Sequence, residues 1–164
     1  MGFRFGRAAA VAAGVAMIAG AALAHEHMGD VPDTPAAKAV VARHQSFKQL
    51  GGAFKAIFDE LKKDAPDKAV IRANAQKMNA LAGQEASWFP KGTGPEAGVK
   101  TDAKPEIWSD PKGFAAAVQK LQTETAKLQQ VSVGGDVAAI KAQVQATGGA
   151  CKGCHDKFRV PDKD

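Results

Sequence analysis

The chain has 164 residues, enough for one domain of ordinary size, and 22 basic against 17 acidic side chains give it a formal net charge of +5 at pH 7. Lysines are interleaved with acidic residues, no basic run occurs and tyrosine is absent. This mild, dispersed charge argues against a nucleic-acid-binding protein.

The first residues have the features of an export signal. Arg4 and Arg7 precede an uncharged apolar run, 8–24, which ends in the Ala-Leu-Ala pattern of a cleavage site. The alternative is a transmembrane anchor, but the run is shorter than the roughly 20 residues that cross a bilayer. We therefore expect residues 1–24 to be a cleaved signal peptide and the mature protein to be periplasmic, without a membrane span.

The next residues predict a flexible lead and then an amphipathic helix. The lead covers residues 25–34, and Thr34 and Pro35 form a typical N-cap and first helical position. Apolar residues then recur every seven positions with others between them, as on a helix of a bundle. The residues seven apart are Val40, Phe47, Phe54 and Leu61, and those between them are Leu50 and Ile57.

Three further helices follow in the predicted order. The second should start after Asp64, with Pro66 in its first turn. A long connection rich in Gly and Pro comes next, and loops of this length are usually functional or wrapped around something. Asp110 and Asp136 then cap the third and fourth helices. Two short turns and one longer crossover predict an all-α, antiparallel four-helix bundle over residues 35–164.

The fourth helix runs into the motif CKGCH, residues 151–155. Spacings of three and four residues place Cys151, Cys154 and His155 on one helical face. A Cys-x-x-Cys pair can be a redox dithiol, half of a zinc site or a haem anchor. Cys-x-x-Cys-His is typical of covalent haem c, in which both thiols bond the porphyrin and the histidine binds the iron.

The two other interpretations of the motif have less support. A structural zinc site needs about four ligands. The chain has no second cysteine pair, and its other histidines are His25, His27 and His44. A thioredoxin-like dithiol needs a strand before the helix, and no strand pattern is visible. One covalent haem c is therefore the predicted cofactor.

Four longer stretches carry a resemblance to a known family: ARHQSFKQLGGAFK, WFPKGTG, KPEIWSD and CKGCHDKFR. With them the chain resembles the class II cytochromes c, the cytochrome c′ family, over essentially its whole mature length. The resemblance implies a bundle whose fourth helix ends in the haem motif, and often a homodimer. The small cytochromes c instead bind iron through a later methionine, and no methionine follows His155 here.

The function of such a haem depends on the sixth coordination position of its iron. In the low-spin electron carriers of the family a first-helix methionine fills it, and the matching residue here is Phe47, which cannot bind iron. The resemblance therefore implies a five-coordinate, high-spin iron whose apolar distal side admits NO and CO. Met28, Met78 and His44 are the alternative sixth ligands.

The resemblance also implies that Arg43 approaches a haem propionate, a charge-assisted pairing. A solvated arginine on the helix surface is the alternative. His44 and Arg159 are further candidates for the haem propionates or edge. Trp88, Phe89 and Trp108 in the crossover are expected to be packing residues that close the bundle. The haem end has a basic rim that suits an acidic redox partner, formed by Lys152, Lys157, Arg159 and Lys163. A charged helix end that is simply solvated is the alternative.

The residues at the mature N-terminus suggest the hypothesis of a separate metal site. Cleavage after Ala24 would leave His25-Glu26-His27, whose amine and histidine nitrogens suit the planar geometry of Cu(II) or Ni(II). The alternative is a disordered end with incidental histidines.

Two functions of different classes are expected from these residues. One is transfer of single electrons, with an unidentified redox protein as partner. The other is binding of a diatomic gas, NO above all, for sensing, storage or detoxification. A hidden methionine or histidine ligand would favour the first function. A peroxidase-like enzyme would need a distal acid–base pair, which Phe47 does not supply, so we predict a protein that is not an enzyme.

Overall fold

A computed structural model describes residues 31–161. It contains the four predicted long helices, α1 (Pro35–Glu60), α2 (Lys68–Ala82), α4 (Pro111–Gly134) and α5 (Val137–Phe158). One short helix, α3 (Glu106–Ser109), lies in the crossover. The long helices pack in the order α1 on α2, α2 on α4 and α4 on α5, which confirms the all-α four-helix bundle.

Several predictions concern residues outside this range. The signal peptide, residues 1–24, the metal site of His25 and His27, Met28 and Lys163 all lie outside the described residues. Within residues 31–161, no helix combines the length and the apolar content that a bilayer crossing demands.

Three of the long helices start at the predicted caps. The side chains of Thr34, Asp110 and Asp136 accept hydrogen bonds from first-turn amides of α1, α4 and α5 at 3.1, 2.9 and 2.9 Å. Each bond satisfies an amide that the helix leaves without an intrahelical partner. The sequence pattern was therefore sufficient to locate these starts.

The start predicted for α2 is wrong. The helix begins at Lys68, so Pro66 precedes it and does not lie in its first turn. Asp67 is the cap, and its Oδ1 accepts from two first-turn amides at 2.8 and 3.2 Å. The carboxylate of Glu60 also accepts from the Asp67 amide at 3.0 Å. Helical dihedrals are disfavoured for the residue before Pro66. The helix therefore begins two residues after Pro66, where Asp67 caps its first turn.

Each long helix places a stripe of mostly apolar residues at helical spacing against the core. Buried members are Val40, Leu50, Ile57, Leu61, Ile71, Met78, Phe114, Val118, Leu121, Thr125, Leu128, Ile140, Val144 and Thr147. Phe47 and Phe54 belong to the stripe of α1 but are only half-buried. Both line a cavity, which explains why an apolar stripe is incompletely covered there.

The end of α5 is attached to the crossover. The Val160 amide donates to the Asp102 carbonyl at 2.8 Å, and the Lys104 amide donates to the Phe158 carbonyl at 2.9 Å. Ala103 and Arg159 form an isolated antiparallel bridge in the same place. The crossover therefore passes close to the haem motif.

A buried carboxylate links α4 to α5. The Glu124 residue is 3 % exposed, and its carboxylate accepts from Lys120 Nζ at 2.8 Å and from Gln143 Nε2 at 2.7 Å. These two hydrogen bonds, Lys120 first, lower the pKa of Glu124 to about 2. The ionised form therefore stabilises the folded chain.

We expect Glu124→Gln to lower stability at neutral pH but progressively less in acid. The folded pKa lies below the ordinary value of 4.5, so the stabilisation is complete above about pH 4.5 and is lost as the pH falls towards about 2. Urea unfolding of both proteins should show a difference in unfolding free energy that shrinks over this range. Glu106→Gln, at an exposed glutamate of α3, is the matched control. A difference that does not change with pH would contradict the prediction.

Candidate functional site

A cavity of about 950 Å³ lies between α1 and α5. Its volume is at the upper end of the roughly 300–1,000 Å³ typical of cofactor and ligand pockets. Apolar side chains from all four long helices line it, among them Phe47, Leu50, Phe54, Met78, Phe114, Leu121 and Phe158. Such a wall suits a large apolar molecule with polar groups at one edge.

The haem motif forms the α5 side of this cavity. Cys151, Cys154 and His155 all line it, as the helical spacing predicted. Both cysteines are half-buried and unbridged, and His155 is exposed. The structure therefore brings the three motif side chains together on one wall.

The electrostatics of the two thiols do not fit a redox dithiol. Burial, and then the nearby charges of Glu85 and Cys151, raise the pKa of Cys154 to about 12. Burial and Glu85 also raise the pKa of Cys151. Reactive dithiols have lowered pKa values, because the thiolate is the nucleophile. The raised pKa values keep both thiols protonated at neutral pH, which does not suit a nucleophilic dithiol.

A zinc site finds no ligand set in the part of the chain that the structure describes. No three His, Cys, Asp or Glu side chains converge there in a group that could hold a metal ion.

Phe47 lies on the α1 wall of the cavity, where the resemblance places the distal residue. Its ring packs edge-on against Trp88 and Phe89, with ring centroids 5.0 and 5.9 Å apart. Phe89 continues this series to Phe114, 4.9 Å away, and its carbonyl accepts from Trp108 Nε1 at 3.2 Å. The crossover aromatics thus hold the Phe47 ring at the wall, in agreement with their predicted packing role.

Arg43 is buried, so the alternative of a solvated surface arginine is wrong. It is 4 % exposed, and its terminal nitrogens donate to Thr93 Oγ1 and Thr93 O at 3.0 and 2.8 Å. They also donate to Thr101 Oγ1 at 3.0 Å and to Trp88 O at 3.4 Å. Burial lowers the pKa of Arg43 to about 10, and Glu96 opposes the shift.

These bonds use all four terminal N–H groups of Arg43, and they tie α1 to the crossover. Arg43 also lines the cavity, and its Cζ lies 4.6 Å from the centroid of the Phe89 ring. Of the five N–H groups of Arg43, only Nε–H remains available to donate to a haem propionate. The propionate contact therefore stays a prediction.

The other candidates lie around the same cavity. His44 is exposed and Arg159 half-buried, and both line it. Met78, an alternative ligand, lines it from α2 and is fully buried. The basic rim is less charged than its residues suggest, because three of its members form ion pairs. These pairs are Lys152 with Asp156, Lys157 with Asp110 and Arg159 with Asp102.

Glu85 is a site residue that sequence reasoning missed. It begins the 3₁₀ turn Glu85–Trp88, lines the cavity and is 2 % exposed. Its Oε2 has no hydrogen-bond partner within residues 31–161. No local pattern marked it, because a glutamate in a polar connection normally points to solvent.

The cavity residues fit the predicted haem. The wall is apolar, the three motif side chains share it, and a buried carboxyl oxygen lacks a partner there. Gly51 adds room on the α1 side, since a Cβ at this position would meet no atom within 4 Å. The structure itself thus offers space and attachment groups for the cofactor.

Comparison with known proteins identifies a family. Residues 38–159 match a family model described as Cytochrome C′. A cytochrome c′ of Rubrivivax gelatinosus is 38 % identical over 122 residues, which are 74 % of this chain and 93 % of that protein. Its crystal structure matches with a TM-score of 0.68 over 74 % of this chain and 94 % of that chain.

Two structures of cytochrome c prime variants from Alcaligenes xylosoxidans contain a bound gas. A ferrous variant with NO matches with a TM-score of 0.70 and 30 % identity, and a variant with carbon monoxide matches with 0.69 and 31 %. Each match covers 77 % of this chain and 97 % of the chain in that structure.

Proposed function

Since this chain belongs to the cytochrome c′ family, we propose that it is a periplasmic one-electron carrier whose haem iron also binds NO and CO at an open sixth position. Family membership confirms haem c as the cofactor, and the CKGCH motif fits its attachment. The observation that carries the proposal is the pairing across one cavity of the motif on α5 with Phe47 on α1.

In this proposal each motif residue has one role. Cys151 and Cys154 would hold the porphyrin by thioether bonds, and His155 would bind the iron. The bound haem would supply the ferric/ferrous couple and a vacant coordination position. Phe47 offers neither a lone pair nor a hydrogen-bond donor, so it leaves that position open and favours NO and CO over the polar bound form of O₂.

The gas-binding part draws support from relatives. Variants of the Alcaligenes protein have been seen with NO and with carbon monoxide, and they are about one-third identical to this chain. Periplasmic location depends on export directed by residues 1–24, which lie outside the described residues. A homodimer, an acidic redox partner and Cu(II) or Ni(II) binding by His25 and His27 stay predictions from the sequence.

A low-spin electron carrier is the second candidate. Met78 is fully buried at the cavity wall, and its thioether is a ligand type that binds haem iron. If Met78 or His44 reached the iron, the sixth position would be filled and gas binding would require its displacement. The coordination state of the iron therefore decides between the two candidates.

Absorption and EPR spectra of the purified protein test the proposal. We expect a high-spin ferric signal, and a ferrous spectrum that changes on addition of NO or CO. Phe47→Met should convert most of the population to low spin, because it places a thioether where the resemblance puts the sixth ligand. Phe54→Met, on the same helix and the same wall, is the matched control and should stay high-spin.

A low-spin wild-type protein whose spectrum does not change with NO or CO would overturn the proposal of an open sixth coordination position. If Met78→Leu then restored the high-spin signal, Met78 would be the ligand.

A further inference from the structure

The position of Glu85 makes its negative charge costly. The residue is 2 % exposed, and Oε2 accepts no hydrogen bond within residues 31–161. An ionised carboxylate that is removed from water without a partner is disfavoured relative to the protonated acid. Burial accordingly raises the pKa of Glu85 to about 7. At neutral pH a small change in local potential would therefore shift its protonation.

Glu85 lies close enough to the attachment cysteines to interact with them electrostatically. Its charge raises the pKa of both Cys151 and Cys154, as the second cause after burial. All three side chains line the same cavity. Charges interact more strongly across a poorly solvated interior than across water. A carboxyl group beside the attachment thiols is thus coupled to charge on a cofactor held there.

Among α1, α2 and α4, titratable residues in the described cavity lining come from α1. From α1, Arg43 directs its terminal N–H groups to the crossover and is coupled to Glu96, whereas His44 and Lys48 are exposed at the mouth. From α2 and α4 the described lining residues are not titratable; they are Met78, Phe114 and Leu121.

The remaining titratable groups belong to α5 and the crossover. Lys152 pairs with Asp156, and Arg159 pairs with Asp102, all near the surface. Lys100 is exposed in the crossover. Among the motif residues, thioether formation would remove the thiol protons of Cys151 and Cys154, and His155 would be held by iron. With haem bound, Glu85 is therefore the buried side chain in the described cavity wall that could take up a proton.

We propose that Glu85 carries the proton that accompanies electron transfer at the haem. Its carboxylate takes up one proton from solvent when a redox partner delivers one electron and Fe(III) becomes Fe(II). The same proton leaves when the electron leaves. The physical reason is that the added electron cancels a positive charge of the haem, and loss of a nearby positive charge favours the protonated acid over the carboxylate. The inference rests on the proposed function, because it requires the bound haem.

A potentiometric titration of the mature holoprotein from about pH 5 to about pH 9 tests this. The wild-type midpoint potential should fall as the pH rises around neutrality, by at most about 59 mV for each tenfold change in proton concentration. In Glu85→Gln this dependence should disappear. Glu106→Gln, which removes the same charge from an exposed position outside the cavity, should behave as wild type.

Two results would overturn the proposal. One is a wild-type potential that is independent of pH, and the other is a slope that survives in Glu85→Gln, which would assign it to the propionates or to His44. If the variant does not retain haem, redox-difference infrared spectra of the wild-type protein decide instead. They should show a protonated carboxyl band that appears on reduction. Absence of this band would contradict proton uptake by Glu85. A failure of the proposed function would look different, because haem c or its reversible reduction would itself be missing.

Discussion

Replacing both Cys151 and Cys154 by alanine is expected to abolish covalent haem attachment. The two thiols are the only cysteines in the chain, and both line the cavity. Without them His155 could hold haem only through the iron, a bond that denaturation breaks. Haem staining after denaturing electrophoresis, together with the intact mass, should show complete loss. Each single variant should keep at most one thioether bond.

Lys152→Ala is the matched control for the cysteine variants. Lys152 lies between the two cysteines, but it is exposed and pairs only with Asp156 in the described range, so its loss should leave staining and mass increment unchanged. Denaturation-resistant haem in the double variant would contradict the assigned attachment. Loss of haem in Lys152→Ala would instead indicate that the helix end, and not the thiols, controls attachment.

Replacing Arg43 by alanine is expected to lower the free energy of unfolding by about 3–5 kcal/mol. The guanidinium donates to four acceptors of the crossover, and hydrogen bonds to charged groups contribute about 1.5–3 kcal/mol each without adding fully. Thr93, the main acceptor, is only 2 % exposed, so water would not readily replace the lost donor. Urea unfolding of the holoprotein measures the change.

Two further variants sharpen the Arg43 test. Arg43→Lys keeps the charge but has a single nitrogen, so it should recover only part of the loss. Arg72→Ala, at an exposed arginine of α2, should change stability by less than about 0.5 kcal/mol. If Arg43→Ala and Arg72→Ala had equal, small effects, the crossover would not depend on Arg43. Loosening of the crossover should also disturb the packing of Phe89 and hence the haem spectrum.

The helices were predictable because their signals are local. Val118, Leu121, Thr125 and Leu128 repeat with the period of a helix, and all are buried on α4. A cap such as Asp136 acts on amides two or three residues away, so the sequence alone reveals it. The α2 start was misplaced because two signals competed there. The Asp67 cap and its hydrogen bond to Glu60, seven residues earlier, prevailed over the proline.

The α5 half of the site was predictable for the same reason. CKGCH places three functional groups on one helical face by spacing alone, and all three line the cavity. The α1 half required the family resemblance, because Phe47 looks like any other residue of an apolar stripe. That it is half-buried at a cavity wall depends on the distance between α1 and α5, which no pattern within α1 records.

The amino-acid sequence was enough to establish a haem c protein built as a four-helix bundle, because attachment chemistry and helix periodicity are properties of short segments. Only the tertiary structure revealed that Arg43 is a buried link to the crossover and that Glu85 Oε2 is buried without a hydrogen-bond partner within residues 31–161. Both residues are charged and would be solvated in an isolated segment. Their burial results from the packing of α1, α5 and the crossover around one cavity, and desolvation there changes their pKa values and their roles.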